Sequence, residues 1–362
     1  MRHSERQVVI FGGAGFIGSN VAHSYLSEGR RVLIFDSLCR PGVERNLRWL
    51  KEQFGSQVEV EISDIRNAHV VRRAVREAEE VFHFAAQVAV TTSLGGPVHD
   101  FEVNARGTLN VLEALRAMET PAPLVFTSTN KVYGGLRGLR FEPEGRRYQP
   151  MDADIRAQGI SEQCPLDFES PYGCSKGTAD QYVLDYSRSY GLQTTVFRMS
   201  CIYGPRQFGT EDQGWVAHFL LQALKEQPII LYGDGMQVRD ILFVEDLVRA
   251  FRLAQSKMEA ISSQAFNIGG GPSRTVSLLE LLALIEELVG HQPVVRFEGW
   301  RTGDQRYYVS DTRKFQAATG WAPQVGVREG VSRLHAWLAE MLGDLEVRRP
   351  VSLREPLENH AG

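Results

Sequence analysis

From its amino terminus the chain alternates short apolar runs with longer segments whose apolar residues recur every three or four positions. "QVVIFGGAGFIGSNVAHSYLSEG" (7–29) predicts a strand, a glycine turn and a helix. "RRVLIFD", "VEVEISDI" and "EEVFHFAAQ" predict three further strands. "HDFEVNARGTLNVLEALRAM" has helical apolar spacing at Phe101, Leu109, Leu112 and Leu115, and "APLVFTST" reads as a fifth strand. Residues 134–169 carry little periodicity, and loops of that length are often functional. "SPYGCSKGTADQYVLDYSRSYG" then predicts a helix with Ser170 and Pro171 at its start, and "QTTVFRMSCIYG" a sixth strand. Apolar strands alternating with amphipathic helices call for an α/β fold, a doubly wound parallel sheet covered on both faces.

Beyond residue 204 the pattern loosens. Helical segments ("GWVAHFLLQALKE", "VSLLELLALIEELVG") mix with short strands ("PIILYG", "AFNIGG", "PVVRFEG"), as in a smaller, interleaved α/β lobe. The expected division is 1–204 for the main domain, which also receives about 236–258, then 205–342 mainly for the second lobe and 343–362 for a polar tail. Composition narrows the function. A net charge of −4 lacks the broad basic footprint of nucleic-acid binders. No apolar run approaches membrane-spanning length. The four cysteines (39, 164, 174, 201) have neither metal nor redox spacing, so no metal site is expected. Scattered thiols and the absence of a signal-like start point to the cytoplasm.

Gly12, Gly15 and Gly18 fall at the first strand-to-helix turn of what is then a Rossmann-type fold. Glycine allows the tight turn, close backbone approach and tight helix packing that a dinucleotide pyrophosphate requires. Asp36 ends the next strand, where its carboxylate can accept from a ribose and repel a 2′-phosphate, favouring NAD over NADP. Asp64, in "SDI", is placed to meet the adenine. Tyr172 and Lys176 share a helix face four residues apart. A neighbouring ammonium is expected to lower the phenol's pKa and make it a base for a hydroxyl proton while hydride leaves the same carbon.

With the Thr129 hydroxyl, these motifs resemble the extended short-chain dehydrogenase/reductases that modify nucleotide sugars, over about residues 7–340. The resemblance implies a catalytic group of Thr129, Tyr172 and Lys176. It places Phe16, Ile17, Ile65, Ala85, Gln87 and Asn104 beside the cofactor, together with Tyr172 and Lys176, the latter on the nicotinamide ribose. "YGPRQ", "QVRD" and "RTGDQR" match segments around the sugar diphosphate, which adds Arg206, Gln207 and Asp304 and makes Arg239 and Arg301 pyrophosphate clamps. Thr92, Thr129, Asn130, Lys131 and Cys201 join the substrate side; Cys201 stands where many members hold Asn.

Members that eliminate water look like T-D-E where this chain has Thr129, Asn130 and Lys131. An amide is no useful acid, and an ammonium is no base. Decarboxylating members carry a Glu just after the hydroxyl residue, also missing here. Reversible oxidation remains, and with it epimerisation on retained NAD. "QVAVTTS", "STNKVYG", "SPYGCSKGTADQY" and "RQFGTEDQGWV" resemble the subgroup that inverts C2 of a CDP-linked 3,6-dideoxyhexose. A CDP-sugar that keeps those hydroxyls, such as CDP-glucose, and a net oxidoreductase releasing NADH stay open as alternatives. The resemblance further implies a homodimer on the helices near 100–118 and 171–190, or a homotetramer.

Overall fold

A computed structural model describes residues 7–301 and 303–347, with side chains through residue 343. Seven parallel strands form the main sheet: β1 (Gln7–Phe11), β2 (Val32–Asp36), β3 (Val58–Ile62), β4 (Ala78–His83), β5 (Leu124–Thr129), β6 (Thr194–Met199) and β7 (Gln264–Ile268). Their spatial order is β7-β6-β5-β4-β1-β2-β3. The order reverses direction at β1, which opens a crevice at the strands' carboxyl ends. Strand alternation splits the core. Val8 and Ile10 face α1 (Phe16–Leu26), which packs beside α2 (Val43–Phe54). Val9 and Phe11 face α3 (Gly107–Arg116) and α4 (Ser170–Tyr190). Strands buried on both faces account for their near-continuous apolar runs.

The smaller lobe is built on Val238–Phe243, which pairs antiparallel with Thr275–Ser277 and parallel with Tyr307–Tyr308 and Cys201–Tyr203. So the strand expected at 193–204 is two strands in two sheets. At the break, the Ser200 N–H donates to Ile268 O (2.9 Å) and its hydroxyl to Asp240 O (2.9 Å), one partner in each sheet. Within the stretch 236–258, the strand belongs to the small sheet, while the following helix α5 (Val244–Ser256) packs on α1. It is β7 that enters the large sheet from the later chain. The 134–169 segment contains a hairpin (Phe141–Glu144 with Arg147–Pro150) and a helical turn, Ala153–Gln158.

The helix expected over 99–118 is interrupted by a π turn at Glu102–Arg106. The inserted residue breaks the phase of the apolar face, so Leu112 and Leu115 are buried while Phe101 is 53% exposed. Helix Val327–Val347 extends into the expected polar tail, the rest of which lies outside the described residues.

Candidate active site

The turn after β1 is built by backbone crowding. Gly12 has φ +79°, and a Cβ there would stand 2.6 Å from Ala85 N; a Cβ on Gly18 would run into the Gly12 carbonyl. The N-terminus of α1 has neither a side-chain cap nor an acidic residue in its first turn, so its N–H groups and dipole suit an anion. Asp36 closes this cradle: its Oδ2 accepts from Ala14 N–H (3.0 Å) and its Oδ1 from Leu38 N–H (2.9 Å). Each oxygen keeps lone-pair capacity for a ribose hydroxyl. Burial pushes its carboxyl up, against these hydrogen bonds and the Arg40 charge. Phe16 and Ile17 open α1, with Ile17 packed on the core. These residues fit NAD.

Other expected cofactor contacts serve as supports. Asn104, in the π turn, is saturated: its Oδ1 accepts from Gln87 N–H (2.8 Å), and its Nδ2 faces Gln87 O (3.0 Å) and Ser175 Oγ (3.0 Å). The Gln87 amide folds back on both backbone groups of Ala89, so these two residues brace the strap that begins at Ala85. The Asp64 carboxylate is turned to Arg66 in a bidentate pair that holds it below the usual range. Ile65 is buried, and its carbonyl accepts from Asn110.

Across the cleft, Thr129 ends β5 and Tyr172 opens α4. Pro171 needs no N–H partner at this helix start, the Ser170 hydroxyl accepts from Gly173 N–H (3.2 Å), and Ser93 Oγ accepts from Tyr172 N–H (3.2 Å). The helix is anchored by the buried Asp180–Arg198 pair, which reaches from α4 to β6. Tyr172, Thr129 and Lys176 are all buried, and the Thr129 hydroxyl lies close enough to the phenol to favour its ionised form.

The expected lowering of the phenol by Lys176 is not what the geometry produces. Lys176 Nζ donates to Thr127 O (2.6 Å) and lies 4.2 Å from the centre of the Phe126 ring. Burial pushes Tyr172 up to about 12, with Asp100 adding to the rise and Thr129 opposing it. The same burial brings Lys176 down to about 7, against Asp180 and Asp100. Asp100 is fully buried and held by Ser175 Oγ–H.

Asn130 and Lys131 face the small lobe. Asn130 Nδ2 donates to Gln305 Oε1 (3.1 Å), and Lys131 Nζ donates to Gly303 O (2.9 Å). Burial first, then the Arg239 charge, lower Lys131 to about 8. At pH 7 it is still mostly an ammonium, and its neutral fraction grows only as pH rises through about 8. Buried Arg239 pairs with Asp304 (2.7 Å), and Cys201 lies close enough to feel both cations, its thiol pushed up by burial.

Several expected substrate residues stand apart from this cluster. The Arg206 guanidinium lies 3.8 Å from the Trp49 ring centre and 5.9 Å from that of Trp337, held between α2 and the last helix. Its backbone is fixed at φ +73°, with its carbonyl accepting from Asn46 (3.2 Å). Cation–π packing thus holds this side chain between the two indoles. Gln207 is buried beneath Gly214 and donates to Ile202 O. Thr92 is exposed, and its neighbour Ser93 is the residue that reaches Tyr172. Arg301 stacks 3.6 Å from the Tyr232 ring centre and pairs with Glu211 and Asp212.

Sequence reasoning missed Ser93, Asp100, Ser175 and Gln305. Ser175 falls between Tyr172 and Lys176, and Gln305 falls within the quoted "RTGDQR", so both were within reach; Asp100 carries no local signal.

A family model described as the NAD dependent epimerase/dehydratase family matches residues 8–269. The chain is 42% identical over 344 residues to the CDP-paratose 2-epimerase of Salmonella typhi, covering 92% of this chain and 100% of that one. Among solved structures, the UDP-glucose 4-epimerase of Thermus thermophilus in complex with NAD superposes with a TM-score of 0.76 at 33% identity, covering 92% of this chain and 99% of the other. DesIV, the dTDP-glucose 4,6-dehydratase of Streptomyces venezuelae, superposes with a TM-score of 0.80 at 28% identity, covering 93% and 98%. The chain belongs to the NAD-dependent epimerase/dehydratase family.

Proposed function

We propose that this enzyme inverts C2 of a CDP-linked deoxyhexose, converting CDP-paratose to CDP-tyvelose by transient oxidation and hydride return. The likeness to CDP-paratose 2-epimerase supports the substrate class. The observation that carries the route is the strand end at Thr129. Its hydroxyl lies near the Tyr172 phenol, while the two following side chains are an amide and an amine, both tied to the small lobe.

In this reading Tyr172 takes the C2 hydroxyl proton and later returns it. Thr129 holds the phenol oxygen and stabilises its deprotonated form. Lys176 orients the site from behind and keeps water out of the helix–strand junction. NAD, when bound, supplies the hydride acceptor and a positively charged ring. Lys131 and Arg239 oppose one another with Asp304 as Arg239's carboxylate partner, an excess of positive charge that suits a diphosphate. Hydride leaves C2 from one face and, once the flat ketone has turned, returns to the other, which is inversion without net redox change.

Purified protein incubated with CDP-, UDP-, GDP- and dTDP-hexoses, with products followed by NMR, tests the reading. Turnover confined to CDP-deoxyhexoses with inversion at C2 is the expected result. Inversion elsewhere, or release of NADH, overturns it. Among the described residues no helix is long and apolar enough to cross a membrane, and all four cysteines are free thiols, which supports a reducing, cytosolic setting. Exposed Val98 and Phe101 lie beside α4, whose Tyr182 and Tyr190 are also exposed, and this apolar strip supports a homodimer through these helices.

A further inference from the structure

The Asn130 side chain is occupied at both ends. Its Nδ2 donates to Gln305 Oε1 (3.1 Å), and its Oδ1 accepts from the Thr129 hydroxyl (3.3 Å). Gln305 cannot be turned over, because its own Nε2 donates to Gly134 O (2.5 Å). All three side chains are buried. The direction of every amide in the chain Gly134–Gln305–Asn130–Thr129 is therefore fixed from one end. A threonine hydroxyl has a single hydrogen. Thr129 Oγ1 already accepts from Lys131 N–H (3.2 Å), and its hydrogen goes to the Asn130 carbonyl oxygen (3.3 Å) rather than to the nearby phenol oxygen of Tyr172.

We propose that Asn130 and Gln305 form an amide relay that draws the Thr129 hydrogen away from Tyr172, making both positioning residues for the phenol. This rests on the reading of Tyr172 as the proton acceptor. While Tyr172 is protonated, Thr129 gives its hydrogen to Asn130 and accepts from the phenol. When Tyr172 must bear negative charge, Thr129 has to rotate and leave Asn130 unpaired. The relay therefore opposes phenolate, and because Gln305 belongs to the small lobe, the seating of residues 303–305 sets how strongly it does so. Gly303 on Lys131 and Asp304 on Arg239 hold the two residues that lead into Gln305.

The charged and titratable groups around the phenol come from several elements. They are Asp100 from the segment before the π turn, Lys176 on α4 and His83 at the end of β4. Lys131 follows β5, with Arg239, Asp304 and Cys201 beyond it. Removing the relay leaves all of these in place.

The test uses the holoenzyme and titrates the near-ultraviolet tyrosinate band of each protein against its own Tyr172→Phe counterpart, which isolates this one phenol. Asn130→Ala removes the competing acceptor. Gln305→Leu, on the other lobe, frees the Asn130 amide to turn over. Both should lower the Tyr172 midpoint by about one pH unit, what an added hydrogen bond to a charged group contributes. Asn130→Asp offers a stronger acceptor and should raise it. The acid limb of kcat/KM should move with the same signs in the variants that turn over. Unchanged or raised midpoints in folded Asn130→Ala and Gln305→Leu would overturn the relay. Full activity of Tyr172→Phe would instead overturn the functional reading beneath it, so the two failures are separable.

Discussion

The glycine turn after β1 and the seam after β5 stand at the same end of the same sheet, yet they are assembled in opposite ways. The turn is made by neighbours in sequence: Gly12 to Gly18, closed by Asp36 from the adjacent strand. Its constraints are backbone constraints, so any side chain beyond hydrogen at Gly12 or Gly18 collides with the main chain. The seam is made by partners 172 to 175 residues apart, Lys131 with Gly303 and Asn130 with Gln305, and all of its contacts pass through side-chain amides and an amine. A locally encoded cradle suits a cofactor that stays in place. A seam between two lobes is suited to a substrate that must enter and leave, because it can open without unfolding either lobe.

If the chemistry belongs to the seam side, Tyr172→Phe should give the largest effect. It removes one hydroxyl and leaves the Asp180–Arg198 anchor of α4 intact. Turnover should fall about 10²–10⁴-fold, the usual contribution of an acid–base group, with NAD content unchanged. Steady-state rates and cofactor released on denaturation check both halves. Retention of most activity would mean that the seam only binds.

The cradle is tested by Asp36→Ala, with a smaller effect. The variant loses the ribose acceptor and also frees Ala14 N–H and Leu38 N–H. NAD retention should weaken about tenfold or more, as expected for charge-assisted hydrogen bonds, and NADP should bind better than it does to the parent. Calorimetry with each nucleotide reads this directly. Undiminished NAD affinity would show that the cradle works through its backbone alone.

The same contrast explains what was legible before the fold was known. The sheet, the glycine turn, Asp36 and the Tyr172–Lys176 helix are written in local spacing, and periodicity exposes them. For Arg206 the motif gives position but not direction; a positive φ and two indoles decide where its guanidinium goes. The bracing of Asn104 against Gln87 depends on the π turn, which local spacing does not reveal. The phenol's pKa was misjudged because four-residue spacing puts Lys176 on the right face but cannot say that its ammonium is spent on Thr127 O. Gln305 was passed over because an amide has no chemistry of its own until its partner is known.

Buried lysines on the seam side should also leave a mark on stability. Folding lowers Lys176 from 10.5 to about 7 and Lys131 from 10.5 to about 8. Between those values and about 10.5 the unfolded chain binds more protons than the folded one, so their contribution to stability rises with pH. Below about pH 7 both states are protonated at Lys176, and the full cost of its burial is present. Lys176→Met removes that cost. Its thermal midpoint at neutral pH should exceed the parent's by a few degrees, and the gap should narrow toward pH 9, while activity is lost. A midpoint lowered equally at both pH values would show that Lys176 is needed for packing. Calorimetric scans of the two proteins across this range decide it.

The smallest expected effect is a null one, and it bears on the seam most directly. Under transient oxidation the hydrogen at the inverted carbon travels to the cofactor and back, so it never meets solvent. Running the reaction in D₂O should leave C2 of the product free of deuterium. The alternative is removal of a carbon-bound proton, and the structure supplies one nearby group that could do it. Lys131 carries a substantial neutral fraction around pH 8, because burial and Arg239 both disfavour its charge. If Lys131 were that base, deuterium would appear at C2 and would increase as pH rises through about 8. The geometry argues against it: Lys131 Nζ is committed to Gly303 O (2.9 Å), and the adjacent Asn130 offers an amide with both ends engaged. Product from parallel reactions at pH 7 and pH 9, read by NMR at C2, separates the routes. No deuterium at either pH leaves Tyr172 and Thr129 with the chemistry and Lys131 with the seam, whereas pH-dependent incorporation would move the chemistry across it.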